Sequence, residues 1–514
     1  MQEISAGLRK DMEAKGIDIS LTLRLLEDSN SGLHDGTMPV RPKAVPPIDG
    51  STVIDLRQLT DKARPRFSFD LAKAEKNLAG FGIRLPAATR IAKTPGGPTR
   101  AEFGISALRA IGDALLPFTA YGLLNGGSAT SYADGKKNLA LGIETFQAVE
   151  EAFSRLSPLC RDMPKGVTPA YVNPDGSPGA SFLELKMRAR LLLAAGRDLP
   201  PTGRNFLPLF QMTSDSNDAL LSGFYAKASR SPFLESLSGS LGIEPADWRT
   251  GVQPMIAAFS HSSEGKPRRI FDKAYGLEDS SLPLPGGHGQ CFHVLAGVLA
   301  ELHGQGIRYA CLGNVDNLGY TPDPVELAVM AISGRPAGFD FAFRTAMDVK
   351  GGILVETEEG GFTVADIGAA ISLDKVRELE ESGRPVLFNC ASGIFDLDYL
   401  MPRIDQVASE LPVRFSDQDK DSGRYSQAEQ VTWEVMGLLP AFLAFAVEKS
   451  DRFLASKLLV DTLLTSGIGA DNPSLPGKVG NTASEMHRGL EALLRRVYGL
   501  ELADGRWIPR ELLA

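Results

Sequence analysis

The sequence predicts an α/β fold built on a sheet with helices on both faces. Two observations lead there. Short apolar runs such as Arg308–Leu312 and Pro385–Phe388 have the length and burial expected of inner strands. Amphipathic stretches such as Glu184–Ala194 lie between such runs, and strand–helix alternation favours a layered α/β arrangement. In such sheets ligands gather at the loops leaving the carboxyl ends of strands, so polar loops after apolar runs are the places to search for chemistry.

Taken in order, residues 1–36 read as polar helical material. The Pro-rich stretch from Met38 to Pro47 follows, where fixed φ and missing donors disfavour helix and inner strand. A second break, Thr94-Pro-Gly-Gly-Pro98, precedes a helix with Ile105, Leu108, Ile111 and Leu115 on one face, bounded by Pro117. The main domain is expected to start near this break. The division is a 1–95 accessory region, a 96–465 main domain and a 466–514 small, mostly helical C-terminal region with an amphipathic helix around Met486–Val497.

Composition narrows the function classes. The 514 residues are 43% hydrophobic and 23% charged, enough for a sizeable core. Lys and Arg number 54 against 63 Asp and Glu, a net charge of -9, which argues against a dedicated nucleic-acid binder. The longest apolar stretch, Val435–Val447, contains Pro440 and is too short to span a bilayer. The N-terminus shows no secretory pattern. Four widely spaced cysteines (Cys160, Cys291, Cys311, Cys390) suggest neither a disulfide framework nor a thiolate zinc site, and a reducing cytoplasm fits them. Cys311 and Cys390 fall on the apolar runs and read as small buried residues.

The segment Tyr121–Lys137 is the first loop of interest. An apolar run feeds Asn125-Gly126-Gly127, then small hydroxyl residues, Gly135 and a lysine pair. Glycines admit backbone N–H groups close to an anion and a lysine adds charge, so the loop reads either as a phosphate cradle or as a tight structural turn. It matches neither the P-loop nor GxGxxG, which disfavours an NAD(P)-dependent oxidoreductase.

The same motif resembles the Leu-Asn-Gly-Gly-Leu-Gly-Thr…Gly-Pro-Lys signature of the UDP-glucose pyrophosphorylase family. Further segments follow in that family's order: Met212-Thr-Ser214 before Asn217-Asp218, Pro285-Gly-Gly-His-Gly289, Asn314-Val-Asp-Asn-Leu-Gly319, Asp348-Val-Lys-Gly-Gly352 and Arg452-Phe-Leu-Ala-Ser-Lys457. The resemblance spans residues 121–457. It implies a Rossmann-like nucleotidyltransferase domain with a mixed central sheet. The implied activity makes UDP-sugar and pyrophosphate from UTP and a sugar 1-phosphate, by in-line attack on the α-phosphorus, which needs positive charge and positioning more than a covalent nucleophile.

Residue by residue, the resemblance puts Leu124, Asn125, Gly126 and Gly127 against the nucleotide, with Asn314, and has Lys137 (or its neighbour Lys136) reach the phosphates. Gln253 would read the uracil edge, since an amide both donates and accepts, and Gly287 would approach the base. His288 would contact the sugar phosphate or its ring; by itself it reads as an exposed histidine in a glycine turn. Lys350 and Lys457 would bracket the transferring phosphate and the leaving pyrophosphate, although isolated lysines are commonly surface charges. Asp316 would hold Mg²⁺ and touch substrate, its other reading being a turn-forming carboxylate. Asn389 would contact sugar hydroxyls, and Glu429 echoes a further family pattern.

Asp417-Gln-Asp-Lys-Asp421 opens like a calcium loop, but Ser422 and Ala428 occupy the positions that need Gly and Glu. A solvated loop leading into a helix is expected instead. Two departures bear on activity. Ala129 puts a Cβ where the family has glycine, and Gln290 replaces an acidic residue. They motivate an alternative, a catalytically impaired nucleotide-sugar binding protein of the same fold. The sugar and the oligomeric state stay open.

Overall fold

In this computed structural model the described residues are 4–33, 40–57, 67–93, 97–127, 129–130, 132–140, 142–195, 197, 206–345, 348–469, 472, 475 and 477–510. Eight strands form the body of an 11-stranded sheet: β1 (Val53–Asp55), β2 (Thr119–Leu124), β3 (Leu209–Ser214), β4 (Trp248–Gln253), β5 (Tyr309–Asn314), β6 (Ala337–Phe343), β7 (Leu387–Asp396) and β8 (Leu443–Val447). Their spatial order is β1-β8-β6-β7-β5-β2-β3-β4. β5, β2, β3 and β4 pair in parallel, as do β6, β8 and β1. β7 runs antiparallel to both β5 and β6, so seven strands share one direction and β7 alone is reversed. The carboxyl ends of the seven therefore line one edge of the sheet, with the start of β7 among them.

The strands expected at Arg308–Leu312 and Pro385–Phe388 are β5 and the opening of β7. Their runs are apolar because both faces are covered: Leu123, Tyr121, Cys311 and Cys390 pack on one side, Phe210, Leu312 and Phe339 on the other. All four cysteines are buried and unpaired. Two strands from the first 95 residues enter the sheet, β1 beside β8 and Pro42–Ala44 beside Gly351–Thr357, so hydrogen bonding crosses the boundary drawn at residue 95. The Pro-rich segment manages this because Pro42–Ala44 has a single strand neighbour, where a missing donor costs little.

The polar N-terminus forms α1 (Ala6–Ala14) and α2 (Ile19–Asn30), capped by Ser5 and Asp18. Leu8, Met12, Leu21 and Leu25 pack against the two-stranded ladder of Met255–Ala257 with Pro283–Pro285 and against the sheet of Phe259–Ser260, Val413–Lys420 and Gly423–Gln430. The last two of these strands correct the expectation for 417–423. That stretch turns a hairpin, with Lys420 opposite Gly423 and φ +123 at Gly423, rather than leading into a helix.

The helix expected at Glu184–Ala194 is α3 (Phe182–Ala194), opened by a Ser181–Glu184 capping box. It is not amphipathic in place. Lys186, Arg188 and Arg190 are as buried as its leucines. Each satisfies its donors with main-chain carbonyls: Lys186 with Asn317 and Tyr320 (2.5 and 2.6 Å), Arg188 with Tyr498, Phe233 and Gly499, Arg190 with Phe206, Leu207 and Glu244. Charge in a sequence marks solvent only when no such acceptors converge on it. The C-terminal helix is longer than expected, α4 (Gly477–Arg496), followed by a small hairpin of Leu500–Ala503 and Arg506–Pro509.

Candidate functional site

The chemistry-bearing residues collect at the common carboxyl edge. β2 ends at Leu124, which is buried, and Asn125 extends the ladder by donating its N–H to Met212 O (2.8 Å). The Asn125 side chain is fully buried; its Nδ2 donates to Gln211 Oε1 (3.0 Å), while Oδ1 finds no partner among the described residues. Gly126 O accepts from Asn217 Nδ2 (2.9 Å), so the Asn217 side chain in the helix after β3 holds the loop. A Cβ on Gly127 would meet nothing within 4 Å, and one on Gly126 would stand 3.5 Å from Gln253 Oε1. The glycine loop is thus open at Gly127, while Gly126 packs against Gln253 Oε1 and the Thr213 main chain.

Gln253 closes β4 and is itself oriented by the Gly-Gly-His loop. Its Nε2 donates to Gly287 O and to Gln290 Oε1, both at 2.8 Å. Those two bonds use both amide hydrogens and leave Oε1, the acceptor, for a ligand; the amide orientation follows from this bonding pattern. Gln290 therefore works here as a neutral acceptor. Gly287 has φ +80, and a Cβ there would stand 2.4 Å from Gln430 O, so this glycine is needed for close approach to the hairpin strand.

His288 accepts at Nδ1 from the Thr432 N–H (3.2 Å), and Thr432 Oγ1 donates to His288 O (2.8 Å). An imidazole accepting at Nδ1 carries its proton on Nε2 and presents a donor. Burial, with the Lys457 charge adding to it, pushes the ring down to about 4, so it is neutral at pH 7.

β5 delivers Asn314 and then Asp316, a buried carboxylate 3.7 Å from Lys457 Nζ. The lysine itself is 65% exposed. Its segment is fixed by Asp461, which accepts from the N–H of Lys457 (3.1 Å) and of Leu458 (2.8 Å). The loop carrying Asp316 is fixed from behind. Asn317 donates to Arg452 O and accepts from Leu454 N–H. The Arg452 guanidinium reaches Glu326 (3.0 Å), Asp340 (2.8 Å) and Thr321 O (2.9 Å).

The lysine that the structure brings to the glycine loop is Lys165. Its N–H donates to Gly127 O (3.0 Å), and its amine is buried, lies over the Tyr132 ring and has no hydrogen-bond partner among the described residues. Burial pulls this amine down to about 7, opposed by the Asp316 charge and reinforced by Lys457. Lys137, by contrast, is exposed on the short helix Gly135–Leu139, where its N–H caps onto Asp134. Sequence reasoning missed Lys165 because thirty-seven residues separate it from Gly127. The available signal was proline: Pro164-Lys165 reproduces the Pro-Lys of the family signature, and Gly135-Lys136-Lys137 does not.

Three further expected residues lie on other elements. Lys350 is exposed at the entry to Gly351–Thr357, while Asp348 of the same motif is held by Lys449 at 2.5 Å. Asn389, near the start of β7, uses Oδ1 to accept from Ala391 N–H (3.0 Å). Glu429 lies on the hairpin, where burial raises its carboxyl. Ala129 is buried and donates its N–H to Met163 O (2.7 Å), so that group is spent inside the chain. No cluster of three or more metal-ligating side chains occurs among the described residues, and none of their helices is long and apolar enough to cross a membrane.

Comparison with known proteins bears out the resemblance drawn from the motifs. Residues 268–468 match the family model described as UTP--glucose-1-phosphate uridylyltransferase. That span holds Gly287, His288, Asp316, Lys350, Asn389 and Lys457, and leaves out the glycine loop and Gln253. A UTP--glucose-1-phosphate uridylyltransferase of Encephalitozoon cuniculi is 26% identical over 235 residues, 41% of this chain and 47% of the relative. UTP--glucose-1-phosphate uridylyltransferase 2 of Dictyostelium discoideum is 32% identical over 122 residues, 23% and 24% of the two chains. The chain thus spans half the length of these curated relatives or less. In fold it is similar to a UDP-glucose phosphorylase of Trypanosoma brucei (TM-score 0.55, 17% identity, 98% of this chain and 81% of the other). It is likewise similar to a UDP-glucose pyrophosphorylase of Leishmania major solved with UDP-Glc (TM-score 0.54, 17% identity, 90% and 79%).

Proposed function

We propose, with the match to the UDP-glucose pyrophosphorylase family as premise, that this chain is a uridylyltransferase joining UTP and a sugar 1-phosphate to UDP-sugar with release of pyrophosphate. The observation that carries the proposal is convergence. The glycine loop, Lys165, Asp316, Lys457, Gln253 and His288 come from six separated stretches of sequence to one edge of the sheet.

In the reaction an oxygen of the sugar 1-phosphate attacks the α-phosphorus, and the bond to the β-phosphate oxygen breaks as pyrophosphate leaves. The attacking oxygen is already anionic, so no base is required; the obstacle is bringing two polyanions together. Lys457, whose side chain is exposed, and Lys165, fixed beside Gly127, supply positive charge at two sides of that meeting point. Gln253 offers an acceptor, which suits the N3–H of uracil and opposes the N3 acceptor of cytosine. His288 offers an Nε2–H donor to the sugar phosphate, and Asn389 and Lys350 complete the set that the family pattern suggests.

Mg²⁺ fits the donor set in a limited sense. A buried carboxylate beside a phosphate loop suits an ion that takes most of its ligands from phosphate and water, so Asp316 would hold it. When bound, the ion would neutralise phosphate charge. The loss of the Ala129 N–H to Met163 O favours a second reading, a nucleotide-sugar binding protein without turnover. Pyrophosphate release from UTP and Mg²⁺ across a panel of sugar 1-phosphates, with ATP, GTP, CTP and dTTP as controls, decides between them. Release with UTP and one sugar supports the transferase and names its substrate. No release, with UTP or UDP-sugar raising the melting temperature, supports the binding protein.

A further inference from the structure

We propose that Tyr132 is a positioning residue that holds the Lys165 amine on its ring face and, through its hydroxyl, locks that lysine to the segment bearing Lys457. The proposal deepens the transferase reading and rests on it for the reaction served.

Tyr132 is buried, and the Lys165 Nζ lies 2.9 Å from its ring centroid and 5.3 Å from that of Phe182. Among the described residues no hydrogen-bond acceptor competes for this amine. A π-face attracts an ammonium group without fixing its three donors, so the amine is held in place with its hydrogen-bonding capacity intact. The other end of the tyrosine faces the opposite arm of the site. Its hydroxyl is 2.7 Å from Thr462 Oγ1, and its carbonyl accepts from Leu459 N–H (3.0 Å). Asn138 reinforces the joint: Nδ2 donates to Tyr132 O (2.8 Å) and Oδ1 accepts from Val460 N–H (2.9 Å). Thr462, Leu459 and Val460 belong to the helix Leu459–Thr465, two residues beyond Lys457. One side chain thus spans two cationic arms whose lysines are almost 300 residues apart in sequence. A tyrosine serving packing alone would need neither the lysine over its face nor this attachment.

Two variants divide the roles. Tyr132→Phe keeps the ring and removes the hydroxyl bond; Tyr132→Leu removes both. The expected result is a loss of about threefold in kcat/KM for UTP with Phe, from the lost tie to the Lys457 segment, and of about tenfold with Leu, which also removes the ring under Lys165. Thr462→Val should reproduce the Phe variant. Equal losses in Phe and Leu, or a wild-type kcat/KM in either, would overturn the proposal. A second readout needs no activity. In protein labelled with ¹³C-lysine, the Hε resonance of Lys165, identified by its absence in Lys165→Arg, should be shifted upfield by the ring in wild type and Tyr132→Phe and unshifted in Tyr132→Leu. An unshifted resonance in wild type overturns the pairing even if the Leu variant does not fold. A shifted resonance in a chain that releases no pyrophosphate supports the pairing and removes the transferase reading alone.

Discussion

Lys165 pits function against stability within one side chain. The buried amine has a pKa of about 7, below the ordinary 10.5, so between those values the unfolded chain binds more protons than the folded one. The penalty is full below pH 7 and is relieved as pH rises toward 10.5. Lys165→Met, which keeps the volume and removes the charge, should raise the melting temperature at pH 7 and flatten its rise with pH, while lowering turnover by about a hundredfold or more if the lysine stabilises phosphate charge. Calorimetry from pH 6 to 10 beside the pyrophosphate assay checks both signs. Lys457 is the contrasting case. Exposed, it should tolerate Lys457→Ala with an unchanged melting temperature and a large fall in turnover, and an active variant would remove it from the mechanism. At this scale the sequence marks Gly287, His288, Asp316 and Lys457 as candidates because their motifs are contiguous. It was illegible at Lys165, because the helix-bearing stretch 129–160 separates it from its loop, and at Gln290, whose role appears only beside Gln253.

Elements bring these residues to register, and α1 and α2 do so for the side that carries Gln253. Asp11 accepts from Ser281 N–H (2.7 Å) and Oγ (2.6 Å), Lys15 donates to Ser281 O (2.7 Å), and Asp18 N–H donates to Met255 O (2.8 Å). One strand of the gripped ladder begins just after Gln253, and its antiparallel partner runs into Gly286–His288 at that same end, where Gln253 Nε2 donates to Gly287 O (2.8 Å). Asp11→Ala should therefore increase amide exchange in 255–257 and 279–288 and raise KM for UTP about severalfold, with exchange in β2 and β5 unchanged. Exchange rising uniformly would contradict a local brace. The helices themselves were legible from polarity and capping residues, but their docking was not, since it depends on a loop 270 residues away in sequence. The 417–423 hairpin shows the converse. Its acidic run resembles a loop, yet residues on one face such as Val413, Ser426 and Ala428 turn inward, and pairing with Phe259–Ser260 completes the sheet.

The whole molecule is knit by contacts that ignore the divisions suggested by sequence. Tyr498 is buried and donates to Leu318 O (2.5 Å), Arg188 binds the Tyr498 and Gly499 carbonyls, and Val172 N–H donates to Ser466 Oγ (2.9 Å). A chain ended at residue 465 would leave Arg188 with lost acceptors and Leu318 uncovered, so it should lose cooperative urea unfolding rather than yield a free catalytic unit. Arg452→Leu tests the same integration at one point. It strands Glu326 and Asp340 in the interior and should cost about 3–5 kcal/mol in urea unfolding. Strand and helix alternation made the α/β class legible, whereas the order of strands was not, because β8 inserts between β1 and β6 only through pairings with distant sequence.

That insertion sets a timetable. β1 leaves the ribosome about 390 residues ahead of β8, the neighbour it pairs with. At roughly 5–20 residues per second this is a delay of about 20–80 s. Throughout it Val53 and Ile54, both buried in the finished protein, have no native partner strand and offer an edge to other chains. Lys457 emerges about 330 residues after Gly127, so a nascent chain can display the glycine loop long before any cleft exists around it. A ligand that needs both the glycine loop and Lys457 can act as a folding ligand only once Lys457 has been made.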